Sequence, residues 1–203
     1  MNRIENIFLE TDGPKAYFAN YFKYLSEIFE KIDLTQMEAF LQLILKARSE
    51  GKTVYFIGNG GSAATASHFA NDLAIGTRCP ENPFKIMSLT DNNAVMTAIA
   101  NDFGYDNLFL KQLETCLNAG DVVVSISASG NSVNLLKAVE FAHQKNATTV
   151  GITGFDGGRL KELCQHSVHV PTDKGEYGPV EDLHMIFDHI IGTYLNMYVK
   201  KEG

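Results

Sequence analysis

The chain has 203 residues, 45% of them hydrophobic, which is enough to bury one core and too few for two. Its 17 basic and 24 acidic residues leave a net charge of -7 with no long run of either sign, which argues against a nucleic-acid surface and leaves any anionic ligand to be held by local dipoles. No stretch approaches the roughly 18 apolar residues of a membrane span, the first residues lack the apolar block of a signal peptide, and Cys79, Cys116 and Cys164 are in no CxxC spacing; a cytoplasmic protein without disulfides, bound to neither membrane nor nucleic acid, is expected.

From Pro14 to about Glu50, Tyr17, Phe18, Tyr21, Phe22, Leu25, Ile28 and Phe29, then Leu34, Met37, Phe40, Leu41 and Ile44, recur at helical spacing and predict two leading helices. The first is apolar on more than one side, so it is expected to pack both on its own sheet and on a second subunit. Residues 1 to 50 therefore read as oligomerisation helices and 51 to 203 as an α/β core with a C-terminal helix, all within a single domain. From residue 53 short β-branched or aromatic runs alternate with helical stretches: 53 to 57, 84 to 89, 121 to 127, 148 to 153 and 166 to 171. That order predicts a three-layer αβα sandwich around a five-stranded parallel sheet of flavodoxin-like type, preceded by the N-terminal helices, with ligands outside the carboxyl ends of the strands. A last helix is expected from about Pro179 to Tyr198.

Two strand ends carry candidate chemistry. After the first strand, Gly58-Asn59-Gly60-Gly61-Ser62-Ala63-Ala64 runs into a helix through Leu73, and its exposed amides attract anions; Asn59, Gly60, Gly61 and Ser62 are the candidate contacts, although a plain strand-to-helix turn shows some of the same residues. It is neither a Walker A loop nor GxGxxG, so no nucleotide cofactor is expected. After the third strand, Ser127-Ala128-Ser129-Gly130-Asn131-Ser132 meets the helix from Val133 to Lys145. Hydroxyls and amides there can saturate a phosphate without a lysine, and the serines exceed what capping by Asn131 or Ser132 requires. Ser127, Ala128, Ser129 and Ser132 are the candidate phosphate contacts. Thr153-Gly154-Phe155-Asp156-Gly157-Gly158 reads as a turn into a short helix, with no chemistry assigned.

Helical residues complete the candidate set. His68 and Asp72, four apart, share one helix face; Glu181 and His189, eight apart, lie about 80° apart around the last helix and roughly 12 Å along it. His184 points about 140° from His189 and reads as structural, and Asp188 beside His189 reads as a solvated surface acid.

GNGGSAA after strand one and SASGNS after strand three resemble the SIS (sugar isomerase) family over nearly the whole chain. Within it the chain is most similar to the bacterial phosphoheptose isomerases, through GNGGSAATASHFANDL, AIANDFG at 98 to 104, SASGNS, TGFDGG at 153 to 158 and the final helix with His189. The resemblance implies a phosphosugar substrate, conversion of sedoheptulose 7-phosphate to D-glycero-D-manno-heptose 7-phosphate for surface-polysaccharide precursors, and a homotetramer with sites at subunit interfaces. It implies that His68, Asp72, Glu181 and His189 occupy the metal-binding and catalytic positions, with His189, Asp72 and Glu181 catalytic, and that Asn101, Asp102 and Glu181 reach the sugar. The family carries glutamate at Asp72 and glutamine at Glu181. Two carboxylates and two imidazoles suit one zinc ion per subunit. Isomerisation of another phosphosugar, and a non-catalytic relative that binds the replication initiator, are the alternatives; in the latter the phosphate loop survives without the catalytic cluster.

Overall fold

The computed structural model describes residues 1 to 202. Three helices lead the chain rather than two: α1 (Arg3–Glu10), α2 (Pro14–Phe29) and α3 (Leu34–Ser49). The unexpected α1 is set by a capping box, in which the Asn2 side chain accepts from the Glu5 amide and Glu5 reaches back to the Asn2 amide. There follow β1 (Thr53–Gly58), α4 (Gly61–Asn71), β2 (Lys85–Ser88), α5 (Asn93–Phe103), α6 (Leu108–Cys116), β3 (Val122–Ser127), α7 (Val133–Gln144), β4 (Thr148–Thr153), α8 (Gly158–Leu163), β5 (His166–His169) and α9 (Tyr177–Glu202). All five expected strands form, and every pairing is parallel in the order β2-β1-β3-β4-β5.

The sequence dictates this order through burial. The three interior strands are nearly continuous apolar runs, and β3 is buried at every position, whereas the edge strands β2 and β5 each bury one residue. Alternate side chains then build two cores. Val54, Phe56, Val122, Val124, Ile126, Val150 and Ile152 face α3, α4 and α9, with Phe56 stacked on Phe69 at 4.8 Å. Tyr55, Ile57 and Val123 face α5, α6 and α7. Helices thus cover both sheet faces, giving the expected three layers.

Of the leading helices, α2 buries Tyr24 and Ile28 but leaves Phe18 at 57% and Phe22 at 67% exposed. One of its faces packs on the chain and the other lies exposed. On α9, Ile190, Tyr194 and Met197 form a second exposed stripe at helical spacing. Among the described residues no helix is long and apolar enough to cross a membrane.

Candidate active site

The strand order reverses between β1 and β3, and their connections leave on opposite faces, to α4 and α7. This opens a crevice at the carboxyl ends of the two strands, where ligands of such sheets bind. The two loops that flank it are the glycine turn and the serine loop picked out from the sequence. They are tied together by reciprocal amides: Asn59 Nδ2 donates to Asn134 Oδ1 at 3.0 Å, and Asn134 Nδ2 donates to Asn59 Oδ1 at 2.9 Å. Tyr105, just beyond α5, adds a 2.7 Å bond from its hydroxyl to Asn59 Oδ1. Asn59 therefore positions the crevice as well as lining it. Asn134 and Tyr105 had no separate signal, because their role rests on a partner 75 or 46 residues away.

The serine loop is held in place by its own hydrogen bonds. Ser127 Oγ accepts from the Gly130 amide at 3.1 Å, which fixes the loop, and Gly130 is held at φ +63°. Asn131 is spent internally, its Nδ2 donating to the Ser129 carbonyl at 2.8 Å and its Oδ1 accepting from the Arg159 amide. Ser132 is the N-cap of α7 but makes no side-chain capping bond, so its hydroxyl is available at the positive end of a 12-residue helix. The Thr153 to Gly158 turn, to which the sequence assigned no chemistry, clamps this loop from behind. Gly154 N donates to the Ala128 carbonyl at 3.0 Å and Leu160 N to the Gly130 carbonyl at 2.8 Å.

The acid and imidazole residues come from α4 and α9, which pack side by side in the same direction. Gly61 faces Glu181, the rings of His68 and His189 lie 5.1 Å apart, and Gly192 faces Asp72. Asp72 opens a π-helical turn, Asp72–Gly76, that ends α4; such turns often stand at functional sites. Potential ligand atoms of His68, Asp72, Asp188 and His189 all lie within 4.8 Å of one another. His68 Nε2 is 3.6 Å from Asp72 Oδ1 and 4.0 Å from Asp188 Oδ2.

One expectation is corrected by this geometry. Asp188 is no surface acid: it is 0% exposed, and neither carboxylate oxygen has a hydrogen-bond partner. Helical periodicity held the signal, since Asp188 lies on the same stripe as the buried His184, Phe187 and Ile191. Burial first, and the nearby Asp72 carboxylate second, push its carboxyl up to about 7. Glu181 stands outside the four-residue cluster. Its carboxylate lies at the Gly61 turn, close enough that a Cβ built on Gly61 would sit 2.5 Å from Oε2. Eight residues of α9 separate it from His189, about 12 Å along the axis. Burial raises the Glu181 carboxyl above its usual range, with Asp182 adding to the shift.

His184 is structural as expected: it is buried, approaches the Thr153 carbonyl at 3.3 Å, and burial lowers its imidazole to about 4. Asn101 and Asp102 sit exposed on the last turn of α5, bonded to each other at 2.8 Å. Two large concavities include neither the glycine turn, the serine loop nor the acid–imidazole cluster: one of about 670 Å³ beside Leu89, Val95 and Ile99 and one of about 710 Å³ beside Phe8, Pro14 and Tyr17. Their linings are mostly apolar and gather no imidazole or carboxylate cluster, so they suit packing better than chemistry.

Comparison with known proteins agrees with this geometry. The SIS domain pattern matches residues 16 to 154. The phosphoheptose isomerase of Aliarcobacter butzleri is 35% identical over 155 residues, 76% of this chain and 81% of that protein. That of Mycobacterium bovis is 32% identical over 191 residues, 94% of this chain and 92% of that protein. The solved phosphoheptose isomerase from Neisseria gonorrhoeae superposes with a TM-score of 0.80 at 31% identity, covering 90% of this chain and 96% of that one.

Proposed function

Because this chain belongs to the SIS domain family and, within it, to the phosphoheptose isomerases, we propose that it is an aldose–ketose isomerase that converts sedoheptulose 7-phosphate to D-glycero-D-manno-heptose 7-phosphate. The observation that carries the reading is the convergence of two imidazoles and two carboxylates on neighbouring helices, one carboxylate wholly buried. A module that only bound a phosphosugar would have no use for a buried, unpartnered carboxylate, which costs several kcal/mol of desolvation.

The division of labour follows from the chemistry. The Ser127 to Ser132 loop and the start of α7 hold the phosphate through Ser127, Ser129, Ser132 and backbone amides, as neutral donors suit an acidic chain. Ala128 contributes backbone only. Gly60, Gly61 and Ser62 form the opposite lip of the crevice, with Asn101 and Asp102 as candidate sugar contacts. Isomerisation then requires a base to remove a proton from C1, a donor to return one at C2, and stabilisation of the enediol oxygen. Asp72 and Glu181 are alternative bases, and the His189 imidazole is the proton donor or a metal ligand.

Orphaned carboxylate oxygens beside two imidazoles fit a divalent metal, and His68, Asp72 and His189 would hold one zinc ion per subunit. A bound zinc supplies polarisation of the substrate oxygens. Homotetramer formation is supported by the exposed Phe18 and Phe22 of α2 and by the Ile190, Tyr194 and Met197 stripe of α9, which would bring sites to subunit interfaces. Production of heptose precursors for surface polysaccharide, in the cytoplasm, completes the reading. Incubation with sedoheptulose 7-phosphate, with and without zinc, tests it by NMR; an aldose heptose phosphate is expected, and no product under either condition would sink the proposal.

A further inference from the structure

We infer that Tyr105 is a positioning residue of the crevice: its hydroxyl fixes the Asn59 side-chain amide in the one orientation that offers the substrate an N–H donor instead of a carbonyl. The inference rests on the proposed phosphosugar reading and adds to it how the β1 side of the crevice recognises an oxygen-rich anion. It starts from the way Tyr105 is held. Gly104, at φ +82°, ends α5, and the chain closes into the short turn Tyr105–Asn107 with a bond from the Asn107 amide to the Gly104 carbonyl at 3.0 Å. The Asn107 side chain pins that turn on both sides. Its Nδ2 donates to the Phe103 carbonyl at 2.6 Å, and its Oδ1 accepts from Lys137 Nζ of α7 at 3.2 Å. Tyr105, more than half exposed, therefore reaches Asn59 from a support fixed to both α5 and α7.

The amides of Asn59 and Asn134 form a closed reciprocal pair, with bonds of 3.0 and 2.9 Å. Such a pair does not set its own direction, since turning both amides over exchanges N–H for C=O at each and keeps two hydrogen bonds. Asn134 is buried and its side chain bonds to no other group among the described residues, so the choice falls to Tyr105. The Tyr105 hydroxyl lies 2.7 Å from Asn59 Oδ1, the usual length of an O–H···O bond and shorter than the usual N–H···O bond. Two donors then fill the lone pairs of Oδ1, and one N–H of Nδ2 is spent on Asn134. The second N–H is the one group of this amide left without a partner among the described residues, on a residue that joins β1 to the glycine turn. A donor there suits a phosphate or sugar oxygen, whereas the turned-over amide would set a carbonyl oxygen against the anion.

A double-mutant cycle on the intact protein tests this, read by calorimetric binding of sorbitol 6-phosphate and by turnover of sedoheptulose 7-phosphate. The polyol phosphate has no carbonyl and does not isomerise, so its affinity is measured apart from the reaction. Tyr105→Phe keeps the ring and removes the hydroxyl. It should weaken sorbitol 6-phosphate by ~3- to 10-fold, the range that one hydrogen bond commands, and raise KM by more than it lowers kcat. In an Asn59→Ala background the same change should cost less than ~2-fold, because the group through which Tyr105 acts is gone. If Asn59→Ala fails to fold, Asn59→Ser serves as the background, since it also lacks the amide. A Tyr105 that only supported the fold would cost the same in both backgrounds. Equal losses in the two backgrounds, or unchanged affinity and KM in Tyr105→Phe, overturn the inference while leaving the isomerase reading in place. Binding of sorbitol 6-phosphate without turnover of sedoheptulose 7-phosphate overturns the isomerase reading, and the binding cycle still decides the role of Tyr105. Wild type that binds neither sugar phosphate overturns both.

Discussion

Gly130→Ala is the sharpest perturbation of the proposed phosphate loop. Gly130 has φ +63°, and a Cβ there would lie 1.9 Å from the Gly157 carbonyl oxygen and 2.7 Å from its carbon. Left-handed backbone costs a residue with a Cβ about 1–2 kcal/mol. Reaching ordinary contact at 3.4 Å requires one backbone to retreat by about 1.5 Å. The two turns are pinned by Leu160 N to the Gly130 carbonyl at 2.8 Å and Arg159 N to Asn131 Oδ1 at 3.2 Å. Losing both bonds adds about 1 kcal/mol each, for a total near 3–4 kcal/mol, a large share of a typical ~5–15 kcal/mol stability. Urea denaturation should report that loss, and affinity for a phosphate ester should fall at least ~10-fold as the amides lose their alignment. Gly60→Ala is the control: Gly60 is also at positive φ, but its added Cβ would meet nothing within 4 Å, so conformational strain of about 1–3 kcal/mol is its whole cost. A Gly130→Ala protein within ~1 kcal/mol of wild type, with unchanged phosphate affinity, would refute the reasoning.

Two further predictions address the helices behind the site. His184 is held at about 4 against an ordinary 6.5, so the unfolded chain binds the extra proton first. Its stabilising contribution is complete above pH 6.5 and drains away as pH falls toward 4, by up to about 3 kcal/mol. Denaturant midpoints from pH 7 to 4 should fall less steeply in His184→Gln than in wild type; parallel curves would contradict the burial argument. His189→Ala should abolish turnover while leaving affinity for a phosphate ester mostly intact, read by paired kinetic and binding titrations. Retained turnover would remove His189 from the reaction.

Much of this architecture was legible in the sequence because it depends on local pattern. Strands such as Val122 to Ser127 announce themselves as unbroken apolar runs, and their alternation with helices fixes a parallel, doubly covered sheet. The two candidate loops were legible for the same reason, since turn chemistry is written in adjacent residues. What stayed hidden depends on contacts between distant segments. The clamp of Gly154 and Leu160 on the serine loop uses backbone atoms, which no side-chain pattern records. Asp188 looks like a surface acid beside His189, and only the buried stripe of Phe187 and Ile191 marks it as interior. Glu181 and His189 share a helix, but only the packing of α9 along α4 sets Glu181 beside Gly61 and His189 beside His68. The first helix carries its signal in Asn2 and Glu5, which spell a capping box, rather than in a long apolar period.

The central claim is enediol-type isomerisation of a heptulose phosphate, and conversion of sedoheptulose 7-phosphate in deuterated water tests it most directly. Proton NMR should show the aldose heptose 7-phosphate appearing with deuterium at C2, delivered by a side chain that has exchanged with solvent. Failure to form any aldose, or an aldose that retains protium fully at C2, would contradict the account.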